Sequence, residues 1–480
     1  MGESLGCRPQ PGGGGHVSGP LPSGGDGASR PHVAVVGGGL AGLAAALACA
    51  DGGARVSLFE ARPRLGGATF SFRREGLWVD NGQHVFLRCC TAYRGFLARI
   101  GAEDLTVLQE RMSIPVMSPG GRTGWLRRSG LPAPLHLARS LARYPFLGPL
   151  DRVRTVRAAL ALSRLDPDDP KLDGRTFGTW LADHGQSPAA VQTLWNLIAL
   201  PTLNLDADRA SLALAVKVFR TGLLSERGAA DIGYARVPLS ELHAEPAQRA
   251  LERTGTPVHL HTSIRRIART ERAGFDLVTE NGGAYADAVV VALPHDRVAE
   301  VLPAGALPNA ASRAARLGLS PIVNVHVVFD RPVMDLPFVA GVGSPVQWVF
   351  DRTRPSGLER GQYLAISLSG ADREIEERSE ELRERFLPAL RALFPRAGQA
   401  TVERFFVTRE HAATFRQAPG TRSLRPGPVT GIPGLYLAGA WTDTGWPATM
   451  EGAVRSGLAA AREALASMGR TRALPEAVSA

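Results

Sequence analysis

Six residues near the start of the chain constrain its fold most: Gly37-Gly38-Gly39-Leu40-Ala41-Gly42, a G-x-G-x-x-G run. They follow an apolar stretch, His32 to Val36, that reads as a short buried strand, and they open an Ala/Leu-rich segment that reads as a helix to about Ala50. Gly37 permits a tight turn, Gly39 lets the backbone approach a pyrophosphate, and Gly42 lets helix and strand pack closely. The helix N-terminus, with Leu40 and Ala41 in its first turn, then offers N–H groups and a positive dipole end to the phosphates. A second strand, Arg55 to Glu60, completes a βαβ unit, which implies a parallel sheet. Glu60 ends that strand where an acid accepts the two ribose hydroxyls of an adenosine. The motif predicts a Rossmann-like dinucleotide site.

Strand signals return at Val258 to His261, Phe275 to Val278 and Ala288 to Leu293. Others appear at Ile322 to Phe329, Tyr363 to Leu368 and Thr401 to Val407, with a charged helix near Glu374 to Phe394. A last strand, Gly434 to Ala438, leads through a glycine loop to a helix over about Thr449 to Ala466. Between 110 and 245 the chain is helix-prone, rich in Ala, Leu and Arg, and broken by prolines. The expected fold is α/β. A discontinuous dinucleotide-binding domain spans 31–110, 245–310 and 425–468, and an inserted α+β substrate domain spans 111–244 and 311–424. Residues 1–30 and 469–480, dominated by Gly, Pro, Ser and other small or polar residues, are expected to be a disordered leader and tail.

Bulk properties narrow the function. A chain of 480 residues with 44% hydrophobic and 21% charged residues is that of a folded, multi-domain soluble protein. Its richest apolar run, Gly38 to Ala50, is about 13 residues, short of the roughly 20 a membrane span needs. Nothing in residues 1–30 resembles a secretory signal. Four cysteines without metal-ligand spacing fit a reducing, cytoplasmic setting and predict no metal site. The net charge of +10 is carried almost wholly by Arg, with Lys only at Lys171 and Lys217. No zinc-finger spacing, RNP-like run or dense basic tail accompanies it, which argues against nucleic acid.

Glu60 begins the run Glu60-Ala61-Arg62-Pro63-Arg64-Leu65-Gly66-Gly67-Ala68. This E-x-x-x-R-x-G-G continuation resembles the two-dinucleotide-binding-domain flavoproteins, which include amine oxidases and carotenoid desaturases. The resemblance implies FAD, with Arg64, Gly66 and Gly67 wrapping the pyrophosphate. Ala68 stands where that family usually has a basic residue. The stretch His261 to Ile267 resembles the segment whose backbone, here at Ile264, meets the adenine. Gly439 and Thr449-Met450-Glu451 resemble the closing motif that holds the ribityl chain and the isoalloxazine. Ala440 replaces an acid common in relatives, so Asp443 becomes the candidate for that contact.

Three longer stretches narrow the family: Leu194 to Asn204 (LWNLIALPTLN), Ala230 to His243 (ADIGYARVPLSELH) and Ala438 to Gly452 (AGAWTDTGWPATMEG). Together they resemble the squalene-associated FAD-dependent desaturases, whose members are hydroxysqualene dehydroxylases of hopanoid synthesis. The likeness runs over about 31–465 and implies an isoprenoid substrate, hydroxysqualene, reduced to squalene. Its hydroxyl is allylic, so protonated loss of water leaves a delocalised cation. The protein must supply an acid and a dry apolar tunnel. The candidates are Asp80 and His84, in a D-x-G-x-H-like stretch that resembles one passing the flavin, then Asp231, with Glu241 and Asp443 behind. Trp441 and Trp446 are candidates for tunnel lining or for plain packing. Rival readings are a carotenoid-type desaturase and a non-catalytic prenyl-binding escort protein of the same fold. The chain shows no aromatic pair suited to an amine cage and no second dinucleotide fingerprint. Residues 122–164 hold nine Arg and one acid, Asp151, interleaved with Trp125, Leu126, Tyr144 and Phe146. That mixture suits peripheral contact with an anionic membrane, on the inner face of the cell membrane. Other enzymes of the squalene pathway are further candidate partners.

Overall fold

The computed structural model describes residues 30–470 apart from Arg272 and Asn281. The expected leader and tail therefore lie almost wholly outside the described residues. Five parallel strands form the first sheet, in the order Val258–His259, Arg55–Phe59, His32–Val36, Ala288–Val291, Leu435–Leu437. His32–Val36 is buried along its whole length, as a central parallel strand must be. One face carries the helices Leu40–Asp51 and Met450–Ser467, which pack almost backbone to backbone: a Cβ on Gly457 would stand 2.1 Å from the Ala41 carbonyl oxygen. The other face carries a three-stranded antiparallel sheet, Ile264–Arg269, Phe275–Thr279 and Gly282–Ala286, through Val36, Phe59, Ile267 and Leu277. Three distant parts of the chain thus share one sheet, because their strands are apolar on both faces and none can be buried alone.

The second large sheet has seven strands, in the order Val402–Phe415, Leu319–Phe329, Gln362–Ser369, Trp348–Asp351, Phe338–Gly341, Ser113–Ser118, Arg122–Arg127. Its outer face is covered by the helix Ser379–Leu393. That helix contains Pro388, which costs about 3 kcal/mol in a helix interior. Burial of Leu382, Phe386, Leu387, Leu390 and Leu393 outweighs it, at roughly 1.5–3 kcal/mol each. The inner face turns toward the strand Leu77–Asp80 and the helices of 149–224. Those helices contain two π-helical turns, Val191–Trp195 and Arg220–Leu224. Among the described residues no helix is long and apolar enough to cross a membrane.

Candidate functional site

The parallel register places Val36 beside Val291 and Val291 beside Leu437, so the turns at Gly37 and Gly439 leave the same edge of the sheet. At that edge the backbone is crowded by design. Gly37 has φ +109°, and a Cβ there would stand 2.6 Å from the Ala292 oxygen; one on Gly42 would stand 1.8 Å from the Gly37 oxygen. Gly66 and Gly67 close over the motif. The Gly66 N–H donates to the Gly38 oxygen at 2.9 Å, and a Cβ on Gly67 would be 2.7 Å from Gly39 Cα. The helix beginning at Leu40 and Ala41 has no side-chain cap and no acid in its first turn, leaving its N-terminus open to an anion.

Glu60 accepts the Gly38 N–H at 2.6 Å and the Arg62 N–H at 2.8 Å, one on each oxygen. A carboxylate has about four acceptor positions, so both oxygens keep capacity for ribose hydroxyls. Ala61 is exposed beside it, and the Thr262 N–H donates to the Glu60 carbonyl, bringing the Ile264 segment alongside. Arg64 lies 3.4 Å over the Phe70 ring and donates to the Gly67 oxygen at 3.2 Å. Ala68 is exposed, with its carbonyl taken by Asn81.

On the closing loop, the Gly439 N–H donates to Ser456 Oγ at 2.8 Å, and Thr449 caps the last helix by accepting the Gly452 N–H at 3.2 Å. Met450 packs against the parallel-sheet core. The Glu451 carboxylate is buried and accepts the Ala92 and Tyr93 N–H groups at 3.1 and 2.7 Å and Arg455 at 2.7 Å. It caps the helix Thr91–Ile100, so what this turn offers a cofactor is backbone. Asp443 accepts the Gly445 N–H at 3.1 Å and faces Arg425. Trp441 is a core residue, its Nε1 donating to the Leu293 oxygen at 2.9 Å, and Trp446 is half-buried between Lys217 and Arg455. Sequence reasoning overlooked Arg425. It is buried and donates to the carbonyls of Trp441, Thr442 and Trp446 at 3.2, 2.6 and 2.8 Å, which fixes the loop after Gly439. Burial pushes its pKa down to about 10, with Asp443 opposing, so it stays a cation.

A polar wall faces this edge. Asp80 is buried; its Oδ1 accepts Ser71 Oγ at 2.6 Å and the Leu239 N–H at 3.0 Å, and its Oδ2 accepts Arg352 at 2.5 Å. His84 follows on the same turn, with Nδ1 3.1 Å from the Gly82 oxygen. Burial lowers its pKa, opposed by the Gly82 bond and Asp80. A neutral ring bonded to a carbonyl through Nδ1–H leaves the Nε2 lone pair available. Asp231 is elsewhere. Its segment lies opposite Arg88 in the pairing of Val85–Leu87 with Ile232–Ala235, roughly 13 Å along the strand from His84. It is fully buried, bidentate to Arg128 at 2.6 and 2.9 Å, and bonded to Arg88 at 2.9 Å and the Met112 N–H at 2.7 Å. Burial alone would raise its pKa, but the Arg128 and Arg88 bonds win and hold it below the usual carboxylate range. Glu241 sits in the π-helical turn Ser240–Ala244, its pKa raised by burial and by Glu245.

Two further side chains join the wall from the inner face of the seven-stranded sheet. Asn324 donates to the Asn81 oxygen at 3.0 Å. Glu410, whose backbone pairs with Ile322, lies beside the Asn81 side chain. Burial raises the Glu410 pKa against the pull of Asn81, Arg62 and Arg64. Asn324 Oδ1 and Gln83 Nε2 are buried without a hydrogen-bond partner. A buried polar atom left so costs about 1–3 kcal/mol. Two of them beside an edge of uncapped helix and close-packed glycine fit a site that a polar, planar dinucleotide cofactor completes.

The model of the family "Flavin containing amine oxidoreductase" matches residues 40–465. The chain is 32% identical over 447 residues to a hydroxysqualene dehydroxylase of Rhodopseudomonas palustris, covering 90% of this chain and 98% of that protein. It is 30% identical over 448 residues to one of Sinorhizobium fredii, with the same shares. A zeta-carotene desaturase of a Synechocystis species is 27% identical over 484 residues, with 92% and 98% covered. Among solved structures, a cyclohexylamine oxidase from Brevibacterium oxydans superposes with a TM-score of 0.69 at 20% identity, covering 92% of this chain and 100% of that one. That last likeness concerns the fold alone.

Proposed function

Since this chain belongs to the flavin-containing amine oxidoreductases and is an FAD-dependent oxidoreductase, we propose that it is a hydroxysqualene dehydroxylase, removing the hydroxyl of an allylic isoprenoid alcohol to give squalene. The observation that carries this reading is the 30–32% identity, over 90% of the chain, to two proteins named for that reaction. The alternative, a carotenoid-type desaturase, draws on the 27% identity to a zeta-carotene desaturase.

FAD would be held by backbone at Gly37, Gly39, Leu40, Ala41, Gly42, Ala61, Gly66, Gly67, Ala68, Ile264, Gly439, Met450 and Glu451. Glu60, Arg64, Asp443 and Thr449 would be its side-chain neighbours. When bound and reduced, it would supply the hydride, a hydrogen with its electron pair, that takes the place of the departing hydroxyl on carbon. The chain's own residues must then place the alcohol, deliver a proton to its oxygen and let water leave. His84 Nε2 accepts the hydrogen bond of the substrate hydroxyl and fixes its direction. The Glu410 carboxyl, which keeps its proton to higher pH than an exposed one, donates to the oxygen. Both flank Asn81-Gly82. Asp80, through Arg352, holds that turn in place, and Asp231, through Arg88 and Arg128, holds the neighbouring strand pair. We place the reaction in the cytoplasm, with substrate taken from a bilayer or from the enzyme that makes it.

The test is product analysis. Holoenzyme reduced under anaerobic conditions and given hydroxysqualene in detergent should yield squalene, with one flavin oxidised per turnover. A further-unsaturated product made from phytoene or zeta-carotene under oxidising conditions, with no squalene formed, would replace this reading by the desaturase.

A further inference from the structure

Among the described residues, nine large apolar side chains stand exposed, and six of them lie between 131 and 160: Leu131, Leu135, Leu150, Val153, Val156 and Leu160. The last four belong to the helix Pro149–Ser163, which buries Thr155, Ala158 and Leu162 against the protein. At 100° per residue, Val156, Leu160, Val153 and Leu150 fall on the opposite, outward arc; Arg157 shares it and Arg154 flanks it. Single exposed aliphatics are ordinary on a protein surface; a contiguous face of them on one helix is not. Arg139, Arg143, Arg154, Arg157 and Arg164 are exposed around this face, and among the described residues none lies within salt-bridge distance of an acid. Where the helix begins, at Gly148, a surface cleft of about 350 Å3 opens between Pro145, Phe146, Leu147, Thr193 and Val342.

We propose that the outward face of the helix Pro149–Ser163, with the Leu131–Leu135 loop, docks onto an anionic lipid bilayer. The aliphatic side chains enter the acyl boundary and the unpaired Arg groups lie among the headgroups, as an interfacial helix requires. A second copy of the chain is a poorer occupant, because a two-fold contact would set the same Arg clusters against each other. Residues 1–29 are poorer still, with only Met1, Leu5, Val17 and Leu21 as large aliphatic side chains. The docking leans on the isoprenoid reading only for its purpose: a lipid that scarcely dissolves in water is collected where it resides, and the cleft reaches Gly148, where this helix starts.

Flotation of the full-length holoenzyme tests this, using phosphatidylglycerol/phosphatidylcholine vesicles against pure phosphatidylcholine at low and high salt. The wild type is expected to float with the anionic vesicles at low salt and to be released by high salt. Val153→Glu/Leu160→Glu, both changes on exposed positions, should lower the bound fraction roughly ten-fold while leaving flavin content and melting temperature unchanged. Arg154→Gln/Arg157→Gln/Arg164→Gln should weaken binding and flatten its salt dependence. Wild type that never floats overturns the proposal, as does binding that neither variant alters. A dimer in sedimentation velocity that Val153→Glu/Leu160→Glu converts to a monomer, without vesicle binding by the wild type, assigns the face to self-association instead. None of these outcomes bears on the detergent assay of the reaction, so the two readings fail separately.

Discussion

At the edge of the parallel sheet the close contacts are backbone to backbone: Gly42 against Gly37, Gly67 against Gly39, Gly457 against Ala41. Across the site the wall is held by charged and amide side chains reaching between segments far apart in the chain. Asp80 takes donors from residues 71, 239 and 352, and Asn324 donates to residue 81. On the proposed function, the contrast follows from what each side would have to recognise. A pyrophosphate is the same in every dinucleotide, and uncapped N–H groups at a helix end suffice for it. A proton donor aimed at one hydroxyl needs a particular side chain at a particular height, and a shell of partners to keep it there.

The sharpest way to break this contrast is to give the glycine edge a side chain. Gly457→Val would set a Cβ 2.1 Å from the Ala41 oxygen, with backbone on both sides and nothing flexible to yield. The two helices must part, and the FAD-to-protein ratio read from flavin absorbance is expected to fall to near zero. Gly95→Ala, where a Cβ meets nothing within 4 Å, is the control and should be neutral or slightly stabilising. If both variants keep their flavin, backbone crowding is not what shapes this edge. On the wall, Glu410→Gln should leave flavin content unchanged and lower kcat by roughly 10²–10⁴-fold, the usual contribution of a general acid. The pH profile gives the sign. An acid with a raised pKa works below that pKa, so wild-type kcat should decline as pH rises through it. The variant should lose that limb.

The two sides differ also in how far they can be read from sequence. The meeting of the glycine motif, Glu60 and the Gly439 loop at one sheet edge is legible because each strand-and-turn signal depends on spacing within a few residues. The strand expected at Thr401 to Val407 runs in fact over Val402–Phe415. Its second half carries Thr408, Arg409, Glu410 and His411, a polar series that breaks the apolar signal where the strand turns toward the site. Glu410 was hidden for that reason. The helix expected from Glu374 begins instead at Ser379, because Glu374 and Glu377 are drawn to Arg385 and the chain before Ser379 is held in turns. Glu451 lies in a motif that points to the cofactor, yet its carboxylate caps a helix some 360 residues away in sequence. Contacts at such separation leave no local pattern. Arg425 was missed for the same reason: a lone Arg before a Pro gives no sign that it will gather three carbonyls.

Asp231→Asn tests the same side-chain construction in the strand pair that neighbours the wall. It leaves Arg128, nearly buried, and Arg88 without their counter-charge. Breaking a buried pair in this way typically costs about 3–5 kcal/mol, and the amide's remaining acceptor puts the expectation at the low end, about 3 kcal/mol in denaturant unfolding. The sign with pH follows from the depressed pKa of Asp231. Its contribution is full above the unfolded carboxylate value, about 3.9, and disappears as pH falls through the lower folded value. The gap between wild type and variant should therefore be constant near neutrality and close only in strong acid. A gap that closes already between pH 6 and pH 5, roughly two units above the carboxylate value, would point to a histidine instead.

The smallest effect lies where the two modes of construction meet. Thr449 is the cap of the last helix and, on the proposed function, also a neighbour of the cofactor. As a cap alone it satisfies one orphan N–H, that of Gly452, and Thr449→Ala should cost about 1 kcal/mol of stability. If its hydroxyl serves only the helix, FAD dissociation from the variant should match wild type once the stability loss is allowed for. If it also meets the cofactor, dissociation should quicken by more than that loss explains, and Thr449→Ser should restore both quantities because the hydroxyl returns. Serine rescuing stability but not FAD retention would assign the cofactor contact to the threonine methyl, a side-chain role on the side of the site built from backbone.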